Sequence, residues 1–317
     1  MQHPDHRFHD ISIFNPQSAE AWKLASLNHY LIIACSFIMI VVVGLLIYVT
    51  IKFRAKAGDT EPKQIYNNRM VEGFMIGIPF LMVSFFFYLT VKVMNDTEPA
   101  VQGQVATVII TGRQWWWQAV YPGTTVVTAN EIHLPAGKKV LLQLESQDVI
   151  HDWWIPSFGP KMDMIPGVKN YLWLTIGEPG VYEGACSEFC GKQHAWMRIK
   201  VIADSPEDYQ KWLLGKSKAA LPPADTLALA GAVIFNQKSC ADCHSIGGTP
   251  AQGKAGPDLT HLASRSTLLA GMMTNTKEHM KRFINNPQEV KPGVRMPRFI
   301  FKKDTVNALV AYLSSLK

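Results

Sequence analysis

The run LIIACSFIMIVVVGLLIYV, Leu31–Val49, holds no charged residue, and as a helix it is long enough to cross the ~30 Å hydrocarbon layer of a membrane. A second run, GFMIGIPFLMVSFFFYLTV, Gly73–Val91, has the same property. Its Pro79 is tolerable wherever neighbouring helices cover the freed carbonyl. Two such runs close together, followed by a long stretch of mixed composition, argue for a helical hairpin anchor over two buried helices of a soluble core. Lys52, Arg54, Lys56, Lys63 and Arg69 crowd the loop between them, against only Asp59 and Glu61. Positive-inside bias puts that loop in the cytoplasm and everything after residue 95 outside, on the periplasmic or equivalent side.

The formal net charge of +6 owes much to this loop and is no signature of nucleic-acid binding. A polar stretch without a basic start precedes the first run, which therefore reads as an anchor and not a cleaved signal. Cys35 lies mid-run, where a lipid-facing or packed thiol is expected. His3, His6 and His9 in the tail are read as solvated, with weak metal chelation as the lesser reading.

Beyond a linker-like segment (NDTEPAVQGQ, 95–104), the texture turns to β. VATVIITG, KVLLQLES, NYLWLTIG and MRIKVIA are rich in branched residues, with turn signals at PG, PAG, PG and EPG between them. Several short strands at this spacing suggest a sandwich or barrel of ~100 residues. Ser205-Pro206-Glu207-Asp208 opens a helix through Leu214. KSKAALPPA (216–224) reads as an exposed, mobile linker, and the remainder alternates helices with Gly/Pro loops, ending in a helix near Asp304–Leu316. The expected division is a tail (1–28), a transmembrane hairpin (29–94), a β domain (95–204), a helix and linker (205–224) and a helical domain (225–317).

Cys240-Ala241-Asp242-Cys243-His244 is C-x-x-C-H, the attachment sequence of c-type haem. Two thiols add across the two vinyl groups of one porphyrin, and the next residue, His244, ligates iron. A redox C-x-x-C or half a zinc site would not demand the immediate histidine, and residues 225–317 hold no second C-x-x-C. The sixth ligand should be a thioether or a second histidine. Met272, Met273 and Met280 fall in an apparent helix, TLLAGMMTNTKEHMKRF, where methionine more often fills a core. Met296, in a loop stiffened by Pro292 and Pro297, is the preferred ligand, with His261 and His279 as competitors. GPDLTHLASR (256–265) and MPRF resemble the haem-edge loop and the methionine segment of class I cytochromes c.

CSEFCGKQHAWM, 186–197, adds Cys186, Cys190, His194 and Met197 in C-x3-C-x3-H-x2-M. A single-copper blue site needs one cysteine, two histidines and an axial methionine. Here there is one thiol more, and the missing histidine is His151, in SQDVIHDWWIP. Two thiolates bridging two coppers, a histidine on each, and Met197 plus one carbonyl as weak fourth ligands close two four-coordinate sites. A Cys186–Cys190 disulfide and a Cys2His2 zinc site compete, although zinc leaves Met197 without a role.

This motif is similar to the dinuclear copper A site of cytochrome c oxidase subunit II, and the resemblance extends over nearly the whole chain, in the haem-c-fused form found in bacteria. It implies a multidomain membrane protein: a two-helix transmembrane hairpin, a cupredoxin β-sandwich and an all-α class I cytochrome c domain. It further implies that Cys186 and Cys190 bridge the coppers, with His151 and Met197 on one metal and His194 and the Glu188 carbonyl on the other. The Glu188 side chain would face a magnesium ion shared with the catalytic subunit. Trp115, the first tryptophan of GRQWWWQ, matches the residue that admits electrons, with Trp116 and Trp117 beside it; partly buried strand packing is the plainer reading of all three. Glu72, about two helical turns before Pro79, matches a glutamate at the cytoplasmic mouth of a proton channel. Asp152 and Trp153-Trp154 depart from the smaller polar residues common after the first histidine.

The implied function is electron input to a proton-pumping haem–copper oxygen reductase in the bacterial cytoplasmic membrane. Electrons would come from a cytochrome c or a quinol:cytochrome c reductase, pass by haem c to copper A, and leave for a separate catalytic subunit. The chain itself has no intramembrane histidine cluster to hold the oxygen site. A membrane-tethered copper-delivery protein is the rival reading; a quinol-oxidase subunit of the same fold would lack the copper ligands.

Overall fold

The computed structural model describes residues 11–317 except 62, 65, 99, 100 and 102, so the tail histidines His3, His6 and His9 lie outside the described residues. It divides into two units, residues 22–99 and the rest.

In the first unit, α1 (Ala19–Lys52) and α2 (Arg69–Thr97) are both long and apolar enough to cross a membrane, and the most apolar stretch of each buries nothing within the protein. Such all-round apolar surface suits lipid as its solvent. Asn68 caps α2 by accepting from the Val71 amide at 3.3 Å, and the helix continues through Pro79. At the opposite end, Lys23 Nζ donates to the Asp96 carbonyl at 3.1 Å, tying the two helices together.

The second unit contains the β domain and the helical domain. The β domain runs β1 (Val108–Arg113), β2 (Trp116–Val120), β3 (Val127–Ala129), β4 (Glu131–Pro135), β5 (Lys139–Ser146), β6 (His151–Trp154), β7 (Met162–Met164), β8 (Asn170–Thr175), β9 (Gly180–Cys186) and β10 (Arg198–Asp204). These form two five-stranded sheets, ordered β3-β2-β1-β5-β8 and β4-β10-β9-β6-β7. The expected sandwich is present. Alternation along β1 sends Val108, Ile110 and Gly112 inward. Val108 and Ile110 join Leu142, Leu144, Trp117, Trp153, Tyr182 and Val201 in one core. Ser18 and the first turn of α1 also belong here: the Glu20 carboxylate accepts from the Thr175 amide at 2.8 Å, and Ser18 Oγ donates to the Phe158 carbonyl at 2.8 Å.

The helical domain follows α3 (Pro206–Lys216), whose first turn is capped by Ser205 Oγ. It comprises α4 (Thr226–Gln237), α5 (Cys240–Cys243), a small hairpin of β11 (Thr267–Leu268) and β12 (Met273–Thr274), then α6 (Lys277–Asn285), α7 (Pro287–Val290) and α8 (Lys303–Ser315). Helices α4 and α8 cross so closely that a Cβ on Gly231 would stand 2.0 Å from the Ala308 carbonyl oxygen. Phe235, Leu259, Met280, Ile284, Leu309 and Tyr312 fill the core around this crossing.

Two expectations are corrected. TLLAGMMTNTKEHMKRF is not one helix: its first half is the β11–β12 hairpin, turned by Leu269 and Ala270 at φ of 58° and 60°. Partners outside the segment decide this, because Glu131 takes the Ser266 and Thr267 amides and Ala270 O accepts from the Arg198 amide. Nor is the first part of the linker, 216–220, a free tether, although most of 216–224 is exposed as expected. Thr125 Oγ1 donates to Ser217 O at 3.0 Å, the His261 ring meets the carbonyls of Lys216 and Lys218, and the Ala220 amide donates to Gly247 O.

Candidate copper and haem sites

His151 opens β6, and Cys186 closes β9, the adjacent strand. The loop between β9 and β10 carries Cys190 and His194 and returns at Met197, whose carbonyl accepts from the Cys186 amide at 3.0 Å. Strand pairing therefore brings together residues 35 positions apart in the chain. His151 Nδ1 lies 3.8 Å from Cys186 Sγ, and the Glu188 carbonyl lies 3.3 Å from the same sulfur. Cys190 Sγ lies 3.6 Å from His194 Nδ1 and 3.8 Å from Met197 Sδ. The two sulfurs are 3.8 Å apart with no disulfide between them.

Donors at 2.0–2.3 Å from a shared tetrahedral metal stand about 3.5 Å from one another. The spacings above fit that geometry: His151 Nδ1 and the Glu188 carbonyl approach the Cys186 sulfur, His194 Nδ1 and Met197 Sδ approach the Cys190 sulfur, and the His151, Cys186 and Cys190 donor atoms all lie within 4.8 Å of one another. His151, Cys186, Cys190 and Met197 are buried, whereas Phe189 and Trp196 in the same loop are exposed, as is Glu188. The thiols share their proton unequally. A hydrogen bond from Cys190, followed in effect by the His151 contact, pulls Cys186 down against its burial, and the same bond together with burial pushes Cys190 up. The lowered Cys186 favours the thiolate form that a soft metal binds.

Supporting residues were not foreseen. Asp148 Oδ1 accepts from His151 Nε2 at 2.8 Å, which turns Nδ1 toward the sulfurs. Gly112 makes room for the ring: a Cβ there would stand 2.8 Å from His151 Cδ2. Asp148 sits only three positions before His151, and that proximity was the available clue. Asp152, the departure noted above, is buried with its carboxyl pushed up to about 7, first by burial and then by Asp163.

The three tryptophans divide their tasks. Trp115 is buried against the copper loop, its Nε1–H donating to the Cys190 carbonyl at 2.9 Å, and Gln114 Nε2 donates to the same oxygen at 2.8 Å. Trp116 is half-buried, with the Arg113 guanidinium over its ring. Trp117 is fully buried, edge-on to both His151 and Trp153. Gly191, at φ of +110°, turns the loop where a side chain would press on Trp115.

In the helical domain, Cys240 and Cys243 bracket the single turn α5, with His244 next. His244 Nδ1 donates to the Pro257 carbonyl at 2.8 Å, and burial pulls its pKa down, so Nε2 keeps a free lone pair. Gly256 lies so close that a Cβ would stand 2.5 Å from His244 Cε1. A neutral, oriented imidazole beside two free thiols suits haem c. Met296 lies half-buried between α7 and α8, its carbonyl accepting from Gln288 Nε2 at 3.1 Å. Three of the alternatives are otherwise engaged: His261 binds the Lys317, Lys216 and Lys218 carbonyls, His279 binds Thr274, and Met280 is in the core, while Met272 and Met273 lie in the hairpin and not in a helix. Glu72 stands exposed in the first turn of α2, where the helix dipole favours a carboxylate.

The methionine loop meets the copper domain beside Trp115. Gln193 Nε2 donates to Pro292 O, and Arg295 donates to Gln114 Oε1 while lying 3.9 Å from Asp148. Buried Lys291 reaches the Trp115 carbonyl at 3.1 Å; burial brings its ammonium down to about 8, partly opposed by Cys190.

Three family matches divide the chain: residues 9–92 match the cytochrome c oxidase subunit II transmembrane domain, 124–204 its periplasmic domain, and 228–317 cytochrome c. Together these families imply copper and haem c. Subunit 2 of cytochrome c oxidase from Alkalihalophilus pseudofirmus is 34% identical over 97% of this chain and 91% of its own length. That of Bacillus subtilis is 30% identical over 94% and 90%. Among solved structures, the periplasmic domain of subunit II of cytochrome oxidase from Bradyrhizobium japonicum is 31% identical, covering 37% of this chain and 96% of that one with a TM-score of 0.35. The chain belongs to the cytochrome c oxidase subunit II family, as an electron-input subunit with a C-terminal cytochrome c domain.

Proposed function

We propose that His151, Cys186, Glu188 (through its carbonyl), Cys190, His194 and Met197 hold a dinuclear copper A centre, and that Cys240, Cys243, His244 and Met296 hold haem c. Bound there, the two groups supply one-electron carriers that take electrons from a cytochrome c or a quinol:cytochrome c reductase toward a separate catalytic subunit, where oxygen reduction is coupled to proton pumping. The convergence of four donors on one sulfur pair carries this reading. Asp148 and Gly112 orient His151, the Pro257 carbonyl orients His244, and Trp115 joins the copper loop to the face that meets the cytochrome domain.

Three further assignments accompany it. The exposed Glu188 side chain takes part in a magnesium site completed by the catalytic subunit. Glu72 lies at the mouth of a proton path on the cytoplasmic side. The two apolar helices sit in a bacterial cytoplasmic membrane with both large domains on the outer face.

The test is the copper-to-haem ratio and the EPR spectrum of the oxidase purified from membranes. Two coppers per haem c sharing one unpaired electron are expected. One loosely held Cu(I) per chain would instead establish the copper-delivery reading. Companion chains that copurify identify the catalytic subunit.

A further inference from the structure

The surface between the copper and cytochrome domains buries charges of both signs. Glu131, at the start of β4 in the copper domain, is buried and receives four donors from the cytochrome domain: the amides and hydroxyls of Ser266 and Thr267, at 2.6–3.0 Å. Lys200 of the copper domain joins them, donating to Ser266 Oγ at 2.7 Å and lying 3.9 Å from Glu131. Lys291 reaches the other way. From the end of α7 its Nζ donates to the Trp115 carbonyl in the copper domain and to Leu269 O in its own, both at 3.1 Å.

Burying a charge is costly unless its partners are in place, so such groups favour one registration more than they add strength. A slight tilt of the cytochrome domain would leave Glu131 and Lys291 desolvated with their partners displaced. Only the fully seated state, or full separation with both groups hydrated, avoids that cost. The fastened linker acts in the same direction, since its carbonyls and amides are already bound to both domains.

We propose that Glu131 and Lys291 are positioning residues that lock the cytochrome domain onto the copper domain in a single orientation, with the Met296 loop held beside Trp115. Electron transfer within the chain then proceeds from a standing geometry and needs no search by a tethered carrier. The functional consequence rests on the haem and copper assignment above; the lock itself does not.

The test uses the complete oxidase and two readouts. The first is hydrogen exchange of the Ser266 and Thr267 amides. In the unaltered protein they exchange slowly, and Lys291→Met, which touches neither, speeds them by about tenfold or more as the seated population falls. Glu131→Gln does the same, Lys291→Arg restores protection, and the α4–α8 core is unaffected in all three. The second readout is the rate of haem-to-copper electron transfer after flash reduction. It is independent of added glycerol in the unaltered protein and acquires viscosity dependence in Lys291→Met. Rapid exchange at Ser266 in the unaltered oxidase, viscosity dependence there, or a Lys291→Met effect confined to its own neighbours would overturn the lock. Should Lys291→Met fail to incorporate haem, viscosity dependence of electron transfer in Glu131→Gln, lying in the other domain, decides the matter, because exchange at the amides Glu131 itself binds would respond to the substitution locally. Absence of the shared-electron copper signal would sink the cofactor assignment and leave the exchange result standing.

Discussion

Trp115 Nε1 donates to the carbonyl oxygen of Cys190 at 2.9 Å, so the indole and a proposed copper-bridging cysteine are joined by one hydrogen bond. The backbone of that same tryptophan is held by Lys291 from the cytochrome domain. One residue therefore touches both halves of the proposed electron route.

Trp115→Phe keeps a ring but removes that donor. Gln114 Nε2 still serves the Cys190 carbonyl, so the loop loses about 1 kcal/mol and stays in place. The copper EPR signal should be unchanged while transfer from the fused haem slows by about tenfold, read by flash reduction. Equal rates in both proteins would show that the indole is packing only.

Asp148→Asn weakens the acceptor that orients His151. Outer partners of this kind contribute about 10–100-fold to metal affinity. Competition with a copper chelator should show a loss of that order, with haem content unaffected. A stoichiometry and affinity equal to the unaltered protein would assign Asp148 to its contacts with the Gln114 and Val149 amides and Arg295.

Met296→Ala should convert the haem from a six-coordinate low-spin species to one with an open or replaced axial position, seen in the optical spectrum. The fold of the cytochrome domain should persist, because Met296 lies outside the core that Met280 helps to fill. An unaltered spectrum would transfer the axial role to another residue.

The contact between the domains should respond to acid. Burial raises the Glu131 carboxyl, but hydrogen bonds from Ser266, together with Lys200 and Thr267, more than offset it, leaving its pKa below the ordinary 4.5. A carboxyl depressed in the folded state contributes stability that is present above its unfolded value and lost as pH falls through its folded value. Proteolysis of the 216–224 segment should therefore be flat with pH near neutrality and accelerate only below 4.5, a response that Glu131→Gln abolishes.

Local chemistry made much of this protein legible. Charge-free runs define membrane helices because lipid offers no partner for a charge, and C-x-x-C-H is compact because one porphyrin demands all three residues. The proposed copper ligands could be assembled by counting donors, even with His151 far from the loop in sequence. Residues that act through backbone proximity were hidden. Asp148, Gly112 and Gln114 have no motif, and their roles exist only once β1, β6 and β9 are assembled.

The segment around Leu269 and the linker 216–224 mark the boundary most clearly. Apolar spacing favoured a helix in one and composition favoured freedom in the other, yet both are set by bonds to residues distant in the chain. Sequence alone determined the two apolar helices, the sandwich and the chemistry of the proposed donor sets, because those follow from side-chain patterning. Only the tertiary structure decided that the two domains meet in one orientation, because a buried carboxylate and a buried ammonium are satisfied together only when every partner is in place.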